Sequence, residues 1–253
     1  VALQIARNLD RHLLSQDNSN VWANTEATKQ NYHSDFYRPY KQSLTMTQIG
    51  VANNVNDNVR VGAVLSHSRA NNTFAENVSG KNRLTALSTY VKGNWNNGVF
   101  ASLDLGYGRS RNTIDFDGKN NVFHRSLFSA GVNAGIQWDW GVNVQPSIGV
   151  RYNRLSKANY QLAEAKIESK ALNLMTYRAG LELSKTFDVA GVKLTPSVAS
   201  YYNDATQRKM AVNGVLSVNN IGMQQQFGRY FNHEAGLAAQ FNQWQVSAQV
   251  GML

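Results

Sequence analysis

Most of the chain alternates apolar and polar residues, the pattern that predicts β-strands with one apolar face and one polar face. Between Ala101 and Gly108, for example, Ala, Leu, Leu and Tyr alternate with Ser, Asp, Gly and Gly. Eleven segments follow this pattern. The predicted strands cover residues 20–30, 42–55, 59–70, 84–96, 99–111, 125–138, 142–156, 171–186, 191–203, 228–241 and 244–253.

The connections between the predicted strands alternate between short and long. The short turns, rich in Asn, Asp and Gly, are Asn56-Asp57-Asn58, Asn96-Asn97-Gly98, Asp139-Trp140-Gly141, 188–191 and Asn242-Gln243. These residue types tolerate the positive φ of tight hairpins. The long polar connections cover 31–41, 71–83, 112–124, 157–170 and 204–227. Long strands with short turns at one end and long loops at the other predict an antiparallel transmembrane β-barrel of the outer-membrane type.

The parity of positions along each strand predicts which residues face lipid and which face the lumen. Aromatic residues near the strand ends on the apolar face would form two girdles at the membrane interfaces. The predicted girdle residues are Trp95, Tyr107, Trp138, Tyr152, Phe187, Tyr202, Phe231, Phe241 and Trp244. The charged residues predicted to face the lumen are Glu26, Arg60, Lys92, Asp104, Arg151, Arg178, Glu182 and Glu234. The glycines on the polar face would leave room for a helix or relieve curvature strain.

The first sixteen residues follow a helical period instead. Their apolar residues at helical spacing are Leu3, Ala6, Leu9 and Leu13. Sixteen helical residues span about 24 Å, close to the height of a barrel wall. We therefore expect a helix inside the pore, within a linker over residues 1–18 that precedes a barrel domain over 19–253. A short amphipathic helix packed elsewhere, or a fraying end, is the alternative.

Three charged residues of this helix, Arg7, Asp10 and Arg11, are candidates to pair with opposite charges of the lumen. A poorly hydrated pore would strengthen such pairs relative to exposed ones. We expect them to hold the helix in place as a plug. A hydrated lumen whose charges are structurally neutral is the alternative.

The strand count predicts that one strand lies beyond this sequence. Bacterial single-chain barrels usually have an even number of strands. An open sheet of eleven would leave unpaired backbone groups in lipid, at several kcal/mol each. We therefore expect a barrel of twelve strands, with a C-terminal strand missing after Leu253. Two merged strands within 204–227, or a deliberately shortened chain, are the alternatives.

Composition excludes several other classes of function. The chain has 253 residues and no cysteine, and its five histidines show no metal-ligand spacing, so we expect no metal and no cofactor. The net charge of +9 is compatible with nucleic-acid binding, but Lys and Arg are scattered, so we expect no nucleic-acid partner. The mean hydropathy of −0.41 is that of a soluble protein, but barrels place apolar residues only at alternate positions. No signal-peptide pattern opens the chain, so we expect a mature domain or a fragment.

A hydrolytic site on the barrel is not expected. Such a site needs a histidine and a serine whose side chains meet. His67 and His233 fall on the lipid-facing parity, whereas Ser66 and Ser68 fall on the opposite face. We therefore predict that the chain is not an enzyme.

The residues of 226–237, Gln-Phe-Gly-Arg-Tyr-Phe-Asn-His-Glu-Ala-Gly-Leu, together with 90–95 and 103–109, resemble the C-terminal translocator domain of autotransporters. The resemblance is to the immunoglobulin A protease and Hap adhesin group of Haemophilus and Neisseria in particular. It implies a monomer in the Gram-negative outer membrane whose partners are membrane lipid, the barrel-assembly machinery and its own passenger, a serine protease or adhesin carried to the cell surface.

Some members of this family cut their linker between two consecutive asparagines. Here Asn8 is followed by Leu9, so the resemblance does not imply that chemistry, and release by a protease outside the cell is expected instead. A stand-alone channel or adhesin barrel that acts through its loops is the alternative function, and a soluble β-sandwich is a third interpretation.

Overall fold

In the computed structural model, eleven long strands close into a barrel around one helix. The structure describes residues 2–15, 19–34, 37–74, 78–116, 118–162, 165–206, 209–216, 219–226 and 229–252. Helix α1 spans Ala2–Leu14. The wall strands are β1 (Val21–Ser34), β2 (Tyr37–Asn54), β3 (Val59–Phe74), β4 (Val78–Asn94), β5 (Val99–Phe116), β6 (Lys119–Ile136), β8 (Asn143–Leu155), β11 (Leu172–Ser184), β13 (Val192–Ala205), β16 (Tyr230–Phe241) and β17 (Trp244–Met252). Among the described residues, no helix has the length and apolar character needed to cross a membrane.

Six short strands complete the described structure. They are β7 (Trp138–Asp139), β9 (Ala158–Leu162), β10 (Ala165–Ser169), β12 (Phe187–Val189), β14 (Lys209–Leu216) and β15 (Asn219–Gln226). Strands β9, β10, β14 and β15 form a separate four-stranded sheet at the long-loop end. The two strands within 204–227 therefore pair outside the wall, and the alternative of two merged wall strands is wrong.

The barrel closes without an open edge. Consecutive wall strands pair antiparallel from β1 to β17, and β17 then pairs with β1 in parallel, from Val21 opposite Trp244 to Glu26 opposite Gln249. The eleven strands therefore do not form an open sheet, although an open sheet was the reason for expecting a twelfth strand. An odd number of alternating strands brings the first and last strands together in the same direction, so only a parallel ladder can join them. The twelfth strand remains a prediction.

The long connections predicted at 31–41, 71–83 and 112–124 are mostly strand, which corrects the loop assignment. β5 continues to Phe116, and β6 begins at Lys119. In the hairpin of β5 and β6, the described side chains between Asn112 and His124 are at least partly exposed on both faces. The sequence of this hairpin therefore lacks the apolar alternation that marks a half-buried strand.

The short turns contain the predicted residues with positive φ. Gly98, Gly141 and Gly191 have φ near 80°, and Asn242 has a φ of 51°. In the remaining turn, the Asn56 side chain accepts hydrogen bonds from the backbone N–H groups of Asn58 and Val59, at 2.9 and 2.8 Å. Asn and Gly are therefore required here by backbone geometry and capping.

On the inner face, glycines lie opposite large rings of the neighbouring strand. The register pairs are Trp22 with Gly50, Tyr90 with Gly62, Phe100 with Gly135 and Tyr201 with Gly180. A Cβ atom on Gly180 would lie 2.1 Å from Cδ1 of Tyr201, far inside contact distance. The glycines thus make room for rings of the wall, which the sequence analysis did not foresee.

Candidate functional site: a helix bound in the barrel lumen

Helix α1 is buried on all of its sides. Asn8, Leu9, Asp10 and Arg11 follow one another around the helix, and each is at most 8 % exposed. A helix packed on an outer surface would leave its polar side in water. Burial of both sides shows that α1 lies inside the barrel, as the sequence predicted.

The apolar side of α1 packs against inward-facing rings and aliphatic side chains of the wall. Ile5 contacts a cluster that includes Leu44, Met46 and Leu127. Further along the helix, Leu9 and Leu13 pack with Trp22, Val64 and Tyr90, and Leu14 packs with Phe100 and Tyr201. The rings of Trp22 and Tyr90 thus pack on the turn between Leu9 and Leu13, and the rings of Phe100 and Tyr201 pack on Leu14, the last residue of the helix. The inner face of the wall therefore provides an apolar surface of rings and aliphatic side chains against which this side of α1 packs.

On the polar side, Arg151 of β8 lies between two carboxylates. It donates to both oxygens of Asp104 on β5, at 2.7 and 2.6 Å, and its Nε donates to Asp10 of the helix at 3.2 Å. Asn133 on β6 also donates to Asp10, at 2.9 Å. Such a paired arrangement satisfies the buried carboxylates, which would be costly to bury without partners.

A second charged cluster lies where the parallel seam closes the barrel. Arg11 Nε donates to Glu234 of β16 at 2.5 Å, and Arg11 Nη1 donates to Gln249 of β17. Arg7 lies 3.4 Å from the carboxylate of Glu26 on β1 and 3.9 Å from that of Glu234. The positive charges of two helix arginines are therefore balanced by two glutamates of the wall. These glutamates lie on opposite sides of the seam, on β1 and on β16.

The C-terminal end of α1 is held near the short-turn rim. Gln145 donates to the carbonyl of Leu14 at 2.6 Å, and Lys92 donates to the carbonyl of Ser15. The last carbonyls of a helix lack intrahelical partners, and a cation there also complements the helix dipole. Ile5, by contrast, accepts a hydrogen bond from Gln48 of mid-strand β2, at 3.2 Å. The helix therefore runs from the long-loop side towards the short-turn side.

The predicted lumen charges occupy three kinds of position. Glu26, Asp104, Arg151 and Glu234 belong to the two clusters that involve the helix. Arg60 and Lys92 are buried and donate to carbonyls of the segment after the helix, at Ser19 and Ser15. Arg178 and Glu182 contact wall residues instead. Arg178 donates to Asn133 at 3.0 Å and lies 4.8 Å from the ring centre of Tyr201, whose hydroxyl donates to Glu182 at 3.4 Å.

The predicted girdle residues lie at the outside of the wall. Those near the short turns, all at least 39 % exposed, are Trp95, Trp138, Phe187, Phe241 and Trp244. Further towards the loop end, Tyr107 is 60 % exposed and Phe231 is 59 % exposed, while Tyr152 and Tyr202 are half-buried. The hydroxyl of Tyr107 donates to Ser126 at 3.1 Å, and that of Tyr152 donates to Asn173 at 3.0 Å. An aromatic body with a satisfied polar tip suits a membrane interface.

Several contact residues were missed by the sequence analysis. The uncharged amides Asn133 and Gln145 contact the helix although nothing but their parity singles them out. His12 of the helix stacks on Trp22, with ring centres 3.6 Å apart, and its Nε2 lies 3.3 Å from the Tyr90 hydroxyl. A large ring at a polar-face position was the available sequence signal for Trp22 and Tyr90.

The side chains considered for catalysis are separated by the wall. Outside the lumen, His67 lies 3.0 Å from the Thr85 hydroxyl and accepts a hydrogen bond from Arg69, whereas Ser66 and Ser68 are buried on the inner side. Among the described residues, no three His, Asp or Glu side chains are grouped as metal ligands would be. The geometry instead describes a site that binds a helix.

A family model described as the autotransporter β-domain matches residues 21–251, which include every wall strand nearly completely. The chain belongs to the autotransporter β-domain family. It is therefore a β-barrel of the Gram-negative outer membrane, and the predicted resemblance is confirmed. A soluble β-sandwich is excluded.

The chain is similar to much longer proteins. It is 34 % identical to the adhesion and penetration protein autotransporter of Haemophilus influenzae over 95 % of this chain and 17 % of that protein. It is 30 % identical to the immunoglobulin A1 protease autotransporter of the same species, over 100 % of this chain and 14 % of that protein. The chain thus spans less than a fifth of the length of these relatives.

Among solved structures, the translocator domain of autotransporter NalP from Neisseria meningitidis is similar in fold. The TM-score is 0.69 at 15 % identity, over 98 % of this chain and 89 % of that domain. This likeness supports the barrel fold.

Proposed function

We propose that this barrel is the translocator of an autotransporter and carries a passenger, encoded before Val1, to the cell surface. The orientation of α1 supports this proposal most directly. Its C-terminal end is held by Lys92 and Gln145 near the short turns, so the chain before Ala2 leads towards the long hairpins. In the outer membrane, short turns face the periplasm and long loops face outside.

The charged contacts of α1 give the helix a second role in this proposal, which is to plug the pore after transport. The clusters around Arg151 and Glu234 bond the helix directly to five strands of the wall, β1, β6, β8, β16 and β17. A helix of about 10 Å diameter that is bound on all sides leaves no wide aqueous path. Transport therefore precedes the docking of the helix.

The relatives suggest what is carried. Two of them are named as an adhesion and penetration protein and as an immunoglobulin A1 protease, so we propose a protease or adhesin passenger. The barrel itself would contribute no catalytic step. Insertion by the barrel-assembly machinery, contact with membrane lipid and a monomeric state complete the proposal.

A surface-display experiment tests transport. A signal peptide and an epitope-tagged soluble reporter are placed before Val1, and intact Gram-negative cells are treated with protease and with antibody. We expect the epitope to be accessible on intact cells, and the same reporter without the barrel to stay inside. A folded barrel whose epitope becomes accessible only after the outer membrane is permeabilised would contradict the proposal.

We further propose that a twelfth strand enters at the parallel seam in the parent protein. The seam between β1 and β17 is the single parallel pair among the described wall strands, and one added strand would make every pair antiparallel. The support is the even strand count usual for bacterial barrels.

Cysteine cross-linking tests this second proposal, since the chain has no cysteine of its own. Thr25 and Ala248 are exposed register partners across the seam, so Thr25→Cys with Ala248→Cys forms a disulfide in the 253-residue chain. With the continuation encoded by the parent gene, we expect this cross-link to disappear. An equally efficient cross-link in the parent would contradict a strand inserted there.

A further inference from the structure

A row of three arginines and one histidine crosses four neighbouring strands on the outside of the barrel. Arg69 of β3 lies opposite Arg83 of β4, Arg83 lies opposite Arg111 of β5, and Arg111 lies opposite His124 of β6. All four side chains are exposed. Directly opposed residues in a sheet have Cβ atoms about 5 Å apart, so the three arginines are close neighbours.

Further cations lie directly above and below this row. On β5, Arg109 is two residues below Arg111 and faces the same side. On β4, Lys81 is two residues above Arg83 and is likewise exposed. We call Arg69, Lys81, Arg83, Arg109 and Arg111 the basic belt.

Among the described residues, no carboxylate forms an ion pair with the basic belt. The described residues of β3 to β6 contain two acidic side chains. Asp104 is buried in the lumen, and Asp115 lies at the hairpin end of β5, where it caps the backbone N–H of Gly118.

Opposed like charges on a sheet destabilise it unless an anion lies between them. Five cations on adjacent strands, with no acidic partner among the described residues, therefore form a surface for an anion from outside the protein. Planar guanidinium groups suit phosphate oxygens in particular, which they bind through paired hydrogen bonds.

The height of the belt indicates where that anion comes from. From Val99 at the short-turn rim to Arg111, the tilted strand rises about 30 Å, slightly above an apolar band of about 25 Å. Just below the belt, Leu65, Leu87, Leu105 and Phe128 are exposed apolar side chains on the same four strands. A ligand with phosphates above and acyl chains below would match both surfaces.

We propose that the basic belt binds the phosphate groups of a glycolipid in the outer leaflet, with its acyl chains on the apolar surface below. The site is independent of passenger transport and lies on the opposite side of the wall from the helix. It would fix one arc of the barrel, β3 to β6, to the outer leaflet.

Lipid titration of the purified chain in zwitterionic detergent tests the proposal. The probes are diphosphorylated lipid A, the same glycolipid with both phosphates removed, and inorganic phosphate. We expect the wild-type chain to bind the diphosphorylated lipid at least about tenfold more tightly than the dephosphorylated one, because each cation near a charged membrane surface contributes measurably to binding. Millimolar inorganic phosphate should not displace the lipid.

The variant Arg83→Gln with Arg111→Gln removes the centre of the row. We expect it to weaken binding of the diphosphorylated lipid about thirtyfold and to leave binding of the dephosphorylated lipid unchanged. The matched control, Arg229→Gln with Lys193→Gln, removes two exposed cations elsewhere and should change affinity less than about threefold.

Three results would overturn the proposal. They are equal wild-type affinity for both lipids, equal losses in the two double variants, and displacement of the lipid by inorganic phosphate. The comparison of the two lipids uses only the wild-type chain. It therefore tests whether the belt recognises phosphate even where a variant does not fold. Heat-dependent gel mobility reports the folded fraction of each variant.

Discussion

On β5, Leu103 and Leu105 are each 50 % exposed, while their neighbours Ser102 and Asp104 are 4 % and 1 % exposed. One strand therefore turns its apolar residues outwards and its polar residues inwards, the reverse of a water-soluble protein. The polar face tolerates burial because the helix supplies counter-charges, such as Asp10 for Arg151. The comparison shows that the lumen, rather than the outer surface, is the specifically packed part of this molecule.

Removal of the central cation of the lumen should break this arrangement most severely. Arg151→Gln leaves Asp10 and Asp104 buried without their partner, so we expect a loss of about 3–5 kcal/mol in the free energy of unfolding. Urea unfolding of the protein in phospholipid vesicles measures it. Arg154→Gln, on the same strand but exposed, is the matched control, and equal losses in the two variants would contradict a specific lumen network.

A charge placed on the outer face should lower the free energy of unfolding less than the loss of Arg151 does. The size of this effect should depend on the depth of the charge in the membrane. Leu105→Arg, midway up the wall, is expected to lose about 2–4 kcal/mol, and Val99→Arg at the rim about 0–1 kcal/mol. The same unfolding experiment compares the two variants. No difference between them would mean that this face does not contact the hydrocarbon of the bilayer.

The rings opposite glycines predict a third and smaller effect. Gly180→Ala forces Tyr201 or the backbone of Ser200 to move, so we expect a loss of about 1–3 kcal/mol. Gly251→Ala is the control, because its nearest neighbouring atom would lie 3.6 Å from the new Cβ. Comparable unfolding midpoints for the two variants would refute the tight fit between ring and glycine.

The exposed ion pair between Arg229 and Asp204 should matter least. It measures 3.1 Å, but the arginine side chain is 60 % exposed and solvent screens the pair. Arg229→Gln should therefore change the free energy of unfolding by less than about 1 kcal/mol. A loss as large as that of Arg151→Gln would show that charge pairs at the rim and in the lumen do not differ.

The sequence predicts the wall well wherever the two faces of a strand meet different surroundings. The alternation in 99–111 locates β5, because lipid lies on one side and the lumen on the other. The same signal fails in 112–124, where the described side chains on both faces of the hairpin are at least partly exposed. The helical spacing of apolar residues such as Leu9 and Leu13 likewise identifies the helix. This signal is local to the helix and does not require its contacts with the wall to be known.

What escapes the sequence depends on the register between strands and on the docking of the helix. The contact of Trp22 with Gly50 follows from the register of the neighbouring strands β1 and β2. The contacts of Arg151 with Asp10 and Asp104 follow from how the helix and three wall strands come together in the lumen. The parallel seam is a closure property of the same kind, since Thr25 and Ala248 are far apart in the chain. Parity assigns a side chain to a face but does not select its partner.

The plug is tested most directly by the ion conductance of single barrels in planar lipid bilayers. Deletion of residues 1–14 removes α1 and leaves every wall strand intact. We predict that the full chain is nearly closed and that the deletion raises its conductance several-fold, with Arg229→Gln unchanged as a control. Equal conductance of the full chain and the deletion, with both barrels folded, would contradict a helix that fills the lumen.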